Sequence, residues 1–199
     1  RGKLYSVGVY DSGLGLYARR SMLRAVNARI PKGPADAWTV GEFEDLLRRL
    51  AARDADGKVL DLKLNYSHEW YTYAFAPPIY SSGGALVEGD PPAAQGVLNG
   101  PQAVSAMTHI QHWIAGGYVD PDLDDNAFIA GRVALSWAGH WEYRRYAAAQ
   151  LDDMVLLPLP DFGHGTRTAQ GSWNWGVTRN SAHPRAAVAF IRFLLRPAE

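Results

Sequence analysis

Apolar positions recur along this chain with two different periods. Phe43, Leu46, Leu47 and Leu50 fall at i, i+3, i+4 and i+7, which predicts a helix with one buried face. Ahead of them, Thr39-Val40-Gly41-Glu42 reads as a capping box: the threonine hydroxyl accepts from the Glu42 amide while the Glu42 side chain reaches back. A second stripe, Val104, Met107, Ile110 and Ile114, follows Pro101, a residue suited to the first helical position. Ala187, Phe190, Ile191 and Leu194 predict a last helix from Pro184, and residues 20–28 predict an early one. His68–Tyr80 reads as a mixed aromatic helix ended by Ser81-Ser82-Gly83-Gly84. Strands are predicted at 4–9, 14–17, 59–64, 133–137, 155–157 and 175–178, between turns rich in Asp, Ser and Gly. Helices predominate, they alternate with strands, and no repeat is present, so the fold class is α/β.

Composition narrows the function classes. With 199 residues and 47% hydrophobic content, the chain can form one large domain or two small ones. Twenty basic and twenty acidic residues cancel, and no block of like charge stands out. The electrostatic footprint of a nucleic-acid or anionic-membrane binder is therefore missing. No cysteine is present, which excludes disulfides, thiolate nucleophiles and Cys-ligated metals. No apolar run approaches the ~18–20 residues that span a bilayer. The chain opens on "RGKLYSVGVY", like the middle of a fold, and stops at "FIRFLLRPAE" just after a helix. It is expected to be a piece of something longer.

Catalytic and metal motifs fail one by one. The acidic stretch "DPDLDDN" (120–126) resembles a calcium loop, but an EF-hand needs glycine sixth and glutamate twelfth. Counted from Asp120, those places hold Asp125 and Gly131, so a solvated loop capping the next turn is expected. His109 and His112 lie opposite the apolar stripe with no third ligand in phase and read as a solvent face. No metal or cofactor is expected. His68 and Glu69 offer an acid–base pair, yet the candidate carboxylates Glu69, Glu142 and Asp11 share no glycosidase motif. There is no G-x-S-x-G elbow, and Gly13 and Gly15 do not extend to a phosphate-binding fingerprint.

The aromatic residues remain. Seven tryptophans and ten tyrosines exceed the needs of a core this size. Trp38, Trp113 and Trp137 sit in apolar patterns and are assigned to packing. Trp70, Trp141, Trp173 and Trp175 stand beside glycines, polar residues or element ends, where exposed rings can stack on the apolar face of a sugar. In 127–146, Ala127–Gly131 is read as a short helix and turn feeding the strand Val133–Trp137. Gly139 then lets the backbone turn, Trp141 starts the next helix at a crevice, and Tyr143 and Tyr146 serve packing.

The segments "GKLYSVGVYDSGLGLYARRSML", "PADAWTVGEFEDLLRRL", "SSGGAL", "AFIAGRVALSWAGHW", "LPLPDFG", "GSWNWGVTRNS" and "AAVAFIRFLLRPAE" follow one another in a telling order. Together they resemble the maltose-binding-protein-like, sugar-binding family of extracellular solute-binding proteins of ABC importers, over nearly the whole chain. The resemblance implies one lobe of a periplasmic-binding-protein type II fold, a helix-rich three-layer α/β arrangement with a small mixed β-sheet. Residues 1–199 would form the C-terminal lobe, with the N-terminal lobe of the same chain and the final helices lying outside it. It places Trp141 and Gly139 at a sugar-stacking position, Gly171-Ser172-Trp173 and Glu69-Trp70 at further cleft segments, and Tyr10, Asp11 and Ser12 near the cleft floor. Where the family usually reads tyrosine-asparagine-lysine, this chain has Ala18-Arg19-Arg20, a departure assigned to a structural position.

The resemblance further implies capture of a saccharide or polyol in the periplasm or outside the cell, by a membrane-anchored protein delivering to ABC permease transmembrane subunits. No catalysis and no nucleic acid are involved. The alternatives are a carbohydrate-active enzyme, in which Glu69 works with a second carboxylate, and a sugar-sensing domain on the same scaffold.

Overall fold

Among the described residues, twelve α-helices and β-strands follow one another in the order β1 (Ser6–Gly8), β2 (Leu14–Arg19), α1 (Arg20–Ala25), α2 (Val40–Ala51), β3 (Leu60–Asp61), α3 (Glu69–Ser81), α4 (Pro101–Ala115), β4 (Leu135–Gly139), α5 (Tyr143–Gln150), β5 (Met154–Leu157), β6 (Asn174–Gly176) and α6 (Pro184–Leu194). They are seen in a computed structural model that describes residues 4–10, 12–121, 124–150, 152–171 and 173–196. The chain divides into two compact units, one of residues 13–169 and a smaller one of 1–12 with 170–199.

The larger unit is built on a mixed sheet of order β3-β4-β2-β5. β2 runs antiparallel to both β4 and β5, while β3 is parallel to β4. Successive side chains of a strand point to opposite faces, and here the two faces meet two apolar layers. Leu16 and Trp137 join Phe43, Leu47, Trp113 and Trp38 on one side. Tyr17 and Ala138 join Phe128, Val133 and Tyr146 on the other. The expected three-layer arrangement follows from this, and Trp38, Trp113 and Trp137 are core residues as expected.

α2 forms as its pattern predicts. The Thr39 amide donates to Glu42 Oε2 at 2.8 Å and the Glu42 amide to Thr39 Oγ1 at 3.2 Å. Phe43, Leu46, Leu47 and Leu50 are buried. The Thr39 backbone bond, with Arg29 beside it, holds the Glu42 carboxyl below its ordinary value.

Other elements depart from expectation. α4 begins at Pro101, but its buried face is Ala103, Ala106, Ile110 and Trp113; Val104, Met107 and Ile114 are exposed. α3 packs closely here, with Gly84 set against the Ala103 amide, and small side chains permit that approach. The turn of the helix carries His109 off the expected solvent face into contact with Glu44 (Nδ1 to Oε1, 2.7 Å) and Phe162. β3 is only two residues long, because Lys63 adopts a left-handed φ of 54° and its amide turns back to Asp61 Oδ1 at 2.7 Å. The strand expected to end at Trp137 runs on to Gly139.

In the smaller unit, β1 and β6 form an antiparallel pair with Val7 opposite Trp175, extended by a bridge between Ser12 and Gly171. α6 has the predicted apolar positions, yet Phe190 and Leu194 are exposed. A two-stranded ladder of three-residue strands is too narrow to cover such a face.

Candidate functional site

β4 carries a buried strand to the surface and stops at Gly139, where a single turn of 3-10 helix, residues 140–142, leads into α5. The strand end is fixed from both sides. The Tyr17 hydroxyl, buried in the sheet, donates to the Gly139 carbonyl at 3.1 Å, and the His140 amide donates to the Gly13 carbonyl at 3.2 Å. Gly139 has φ −88° and ψ 170°, ordinary extended backbone. The expectation that it supplies a turn is therefore corrected: the indole of Trp141 folds back over it. A Cβ at 139 would lie 2.5 Å from Trp141 Cε3 and closer still to Cζ3 and Cη2.

Trp141 is 41% exposed. Behind it stand Trp70, edge-on with centroids 6.1 Å apart, and Tyr73, tilted at 6.1 Å, with His140 at 5.8 Å. Trp70 is expected to be an exposed ring, and this too is corrected. It is only 5% exposed, and its Nε1 donates to the Leu62 carbonyl at 3.3 Å. It backs Trp141 and offers no free face. Glu69, the first residue of α3, is exposed one position away. Among the sequence-derived candidates, Glu69, Trp70, Gly139 and Trp141 thus belong to one region of the larger unit.

Beneath this aromatic group lies a charged cluster. Lys63 is fully buried, with Nζ 2.9 Å from Asp61 Oδ2 and 2.7 Å from Asp125 Oδ1. The Ser136 hydroxyl lies 2.8 Å from Asp61 Oδ2 and 2.9 Å from the Tyr146 hydroxyl. Glu142, 5% exposed, accepts from the Tyr66 hydroxyl at 2.9 Å and from Arg145 Nε and Nη2 at 2.9 and 2.7 Å. Arg145 also reaches Asp125 Oδ2 at 3.0 Å. Burial pulls the Lys63 ammonium down, but Asp61, Tyr146 and Asp125 outweigh it and hold its pKa above the ordinary lysine value. Burial, then Glu142, raises the Tyr66 hydroxyl; burial, then Asp61, pushes Tyr146 up to about 12.

This cluster changes the reading of two segments. The loop 120–126 is not simply solvated: Asp120 is buried, Asp125 pairs with Lys63 and Arg145, and Asp124 pairs with Arg132 at 2.7 Å while capping the Asn126 amide. Tyr146 packs as expected, but Tyr143 is exposed. Glu142 is fully engaged by donors and is not free to act as a partner carboxylate to Glu69. Among the described residues no group of three or more His, Asp or Glu is placed to hold a metal.

The remaining candidates belong to the smaller unit. Tyr10 and Trp173 are exposed, the Val9 amide donates to the Trp173 carbonyl at 3.0 Å, and the Ser12 amide and Oγ both bond the Gly171 carbonyl, at 2.7 and 3.0 Å. Asp11 and Ser172 lie outside the described residues. Lys63, Tyr66, Tyr73, Asp125 and Arg145 are not among the sequence candidates. The available signal for the first is the alternation Asp61-Leu62-Lys63, which sets opposite charges on one face of an apolar segment.

From residue 1 to residue 199, the chain matches the model of the bacterial extracellular solute-binding protein family. It belongs to that family. Solved structures similar to this chain include the GacH receptor of Streptomyces glaucescens, studied unliganded and with acarbose (TM-score 0.73, 22% identity, 98% of this chain and 49% of that one). The sugar-binding protein MalE of Xanthomonas citri matches with TM-score 0.72 and 21% identity over 98% of this chain and 49% of its own. UgpB of Mycobacterium tuberculosis, in complex with glycerophosphocholine, matches with TM-score 0.67 and 19% identity over 99% and 49%. Identities this low carry the fold alone. The chain spans about half the length of each. No curated protein sequence matches it.

Proposed function

We propose that the chain carries the C-terminal lobe of a two-lobe protein that captures a saccharide or related polyol, without chemistry, for delivery to ABC permease transmembrane subunits. The protein works in the periplasm or outside the cell, anchored to the membrane. The N-terminal lobe of the same polypeptide closes over the solute, driven by the ligand's preference for the closed state. Trp141 is the observation that supports this reading most: a half-exposed ring at the C-terminal end of a sheet strand, backed by fixed aromatic neighbours. Such a ring can stack on a pyranose, while hydroxyl and carboxylate groups meet the sugar's hydroxyls. Glu69, Gly139, Tyr10, Asp11, Ser12, Gly171, Ser172 and Trp173 are proposed as further lining, and Trp70 as the support behind Trp141.

Lys63 and Arg145 are paired with Asp61, Asp125 and Glu142, so neither cation is available to an anionic ligand. A thermal-shift screen of the complete protein against sugars, polyols and their phosphates tests the class, because a ligand that binds only the native state raises the melting temperature. Trp141→Ala is expected to weaken binding of the best hit about tenfold or more, a loss of about 1.4 kcal/mol or more, with the fold retained. Unchanged affinity would remove Trp141 from the site.

A further inference from the structure

The charged cluster touches the turn that carries Trp141 and has no task in simple capture. We propose that Glu142 and Tyr66 are positioning residues that fix the orientation of the Trp141 ring. The inference rests on Trp141 as the stacking ring.

Glu142 follows Trp141 in one three-residue turn, so holding its carboxylate restrains the backbone on which the indole is mounted. A carboxylate that is 5% exposed persists only if donors replace its water. Both of its oxygens have them: Tyr66 on Oε1, and two nitrogens of the Arg145 guanidinium on Oε2. Charge-assisted bonds of this kind are directional as well as strong. At the other end, Tyr17 and Gly13 hold residues 139 and 140. The turn is therefore tied before and after Trp141.

Tyr66 connects this restraint to the ring itself. Its hydroxyl bonds Glu142, while its ring meets Trp70 edge-on at 5.1 Å, and Trp70 meets Trp141 edge-on at 6.1 Å. Glu142, Tyr66, Trp70 and Trp141 form a closed circuit, joined covalently at 141–142 and by contact elsewhere. Tyr66 sits on a turn bounded by two left-handed residues, Lys63 and His68, with φ of 54° and 56°. Lys63 is in turn held by Asp61 and Asp125. An apolar filling of the space around a buried ion pair is often no less stabilising. What it would lack is a fixed direction for the turn.

The test uses the complete binding protein with fluorotryptophan incorporated and the Trp141 fluorine resonance assigned through Trp141→Phe. Tyr66→Phe removes one hydroxyl and keeps the ring; Glu142→Gln keeps the shape and weakens the hold on Arg145. Below the melting temperature of each variant, the Trp141 resonance should shift or broaden while those of Trp38 and Trp113 stay in place. Maltose, titrated calorimetrically, should bind roughly 3- to 10-fold more weakly, as the fraction with a correctly set ring falls. A Trp141 resonance unchanged in position and width in both variants, with only a lowered melting temperature, would overturn the proposal. So would weakened binding with an unmoved resonance. The resonance is read without ligand, so positioning is decided by the spectrum whether or not wild-type protein binds maltose, whereas the stacking role stands or falls with the effect of Trp141→Ala on the best ligand of the thermal-shift screen.

Discussion

Replacing Gly139 with alanine asks whether this glycine is needed for its backbone or for its emptiness. At φ −88° and ψ 170° any L-residue is at ease, and a Gly→Ala change in compatible backbone stabilises by about 0.4–1 kcal/mol through the unfolded chain. The opposing term is steric. The new methyl would lie 2.5 Å from Trp141 Cε3 and inside that distance of Cζ3 and Cη2, whereas carbon atoms rest about 3.5–4.0 Å apart. The ring must retreat by about 1.5–2 Å at its nearest atom, Cζ3, on that spacing, or leave its rotamer at a cost of about 0.5–1.5 kcal/mol. Trp141 is partly open to solvent, so it can swing outward without opening the core. The two terms nearly cancel, and stability should stay within about 1 kcal/mol of wild type, well short of the ~1–3 kcal/mol of buried overpacking. Ligand affinity should nevertheless fall about tenfold, because the stacking face has moved off Trp70 and Tyr73. Urea denaturation, tryptophan fluorescence and calorimetric titration of the complete protein measure the three quantities. Wild-type affinity together with wild-type fluorescence would refute the spatial role.

Lys63→Met should be severe, because it leaves Asp61 buried without its cation; breaking such a pair costs about 3–5 kcal/mol, read as a large fall in the urea midpoint. Alkali should destabilise the protein. The folded state holds the Tyr146 proton up to about pH 12, against about 10 in the unfolded chain. This contribution, about 2–3 kcal/mol, is full below pH 10 and lost as the pH rises through the folded value. Tyr66, Tyr17 and Lys63 are raised in the same direction, and Tyr146→Phe should flatten the slope of urea midpoint against pH in that window. Thr39→Ala removes the cap of α2 and should cost about 1 kcal/mol, seen as a lower melting temperature with unchanged ligand affinity.

Local signals in the sequence were sufficient where a single element determined its own burial. α2 carries its cap, its period and its apolar face within twelve residues, and all three are realised. α4 shows where such signals stop. Its large side chains Val104, Met107 and Ile114 look like the core face, but the core side is set by how closely α3 approaches, and that selects Ala103 and Ala106. Met107 and Ile114 instead border an open apolar groove with Leu86, Val87, Leu98 and Phe75. Alanine carries almost no weight in a hydrophobic stripe, so a close helix crossing leaves little trace in the pattern. α6 fails for the complementary reason: its face is written in the sequence, and among the described residues nothing within its own unit is wide enough to cover it.

The site divides along the same line. Trp141 is legible because a glycine two residues before an aromatic, at the end of an apolar strand, is a local arrangement, though the glycine serves the ring and not the turn. The residues that hold Trp141 are not local to it. Tyr66 meets Glu142 across 76 positions and Lys63 meets Asp125 across 62. In the sequence, Asp61 and Lys63 alternate with leucines exactly as the wet face of an edge strand would. Only the parallel pairing of Asp61 with Ser136 brings that face inward, under Tyr146. A buried charge needs partners, and here the partners come from three other segments, so the pattern of any one segment suggests solvent. Recognition in this fold therefore has a visible part and a concealed part. The ring proposed to meet the solute is written into a few adjacent residues, whereas the contacts that hold it are distributed over the chain and arise only on folding.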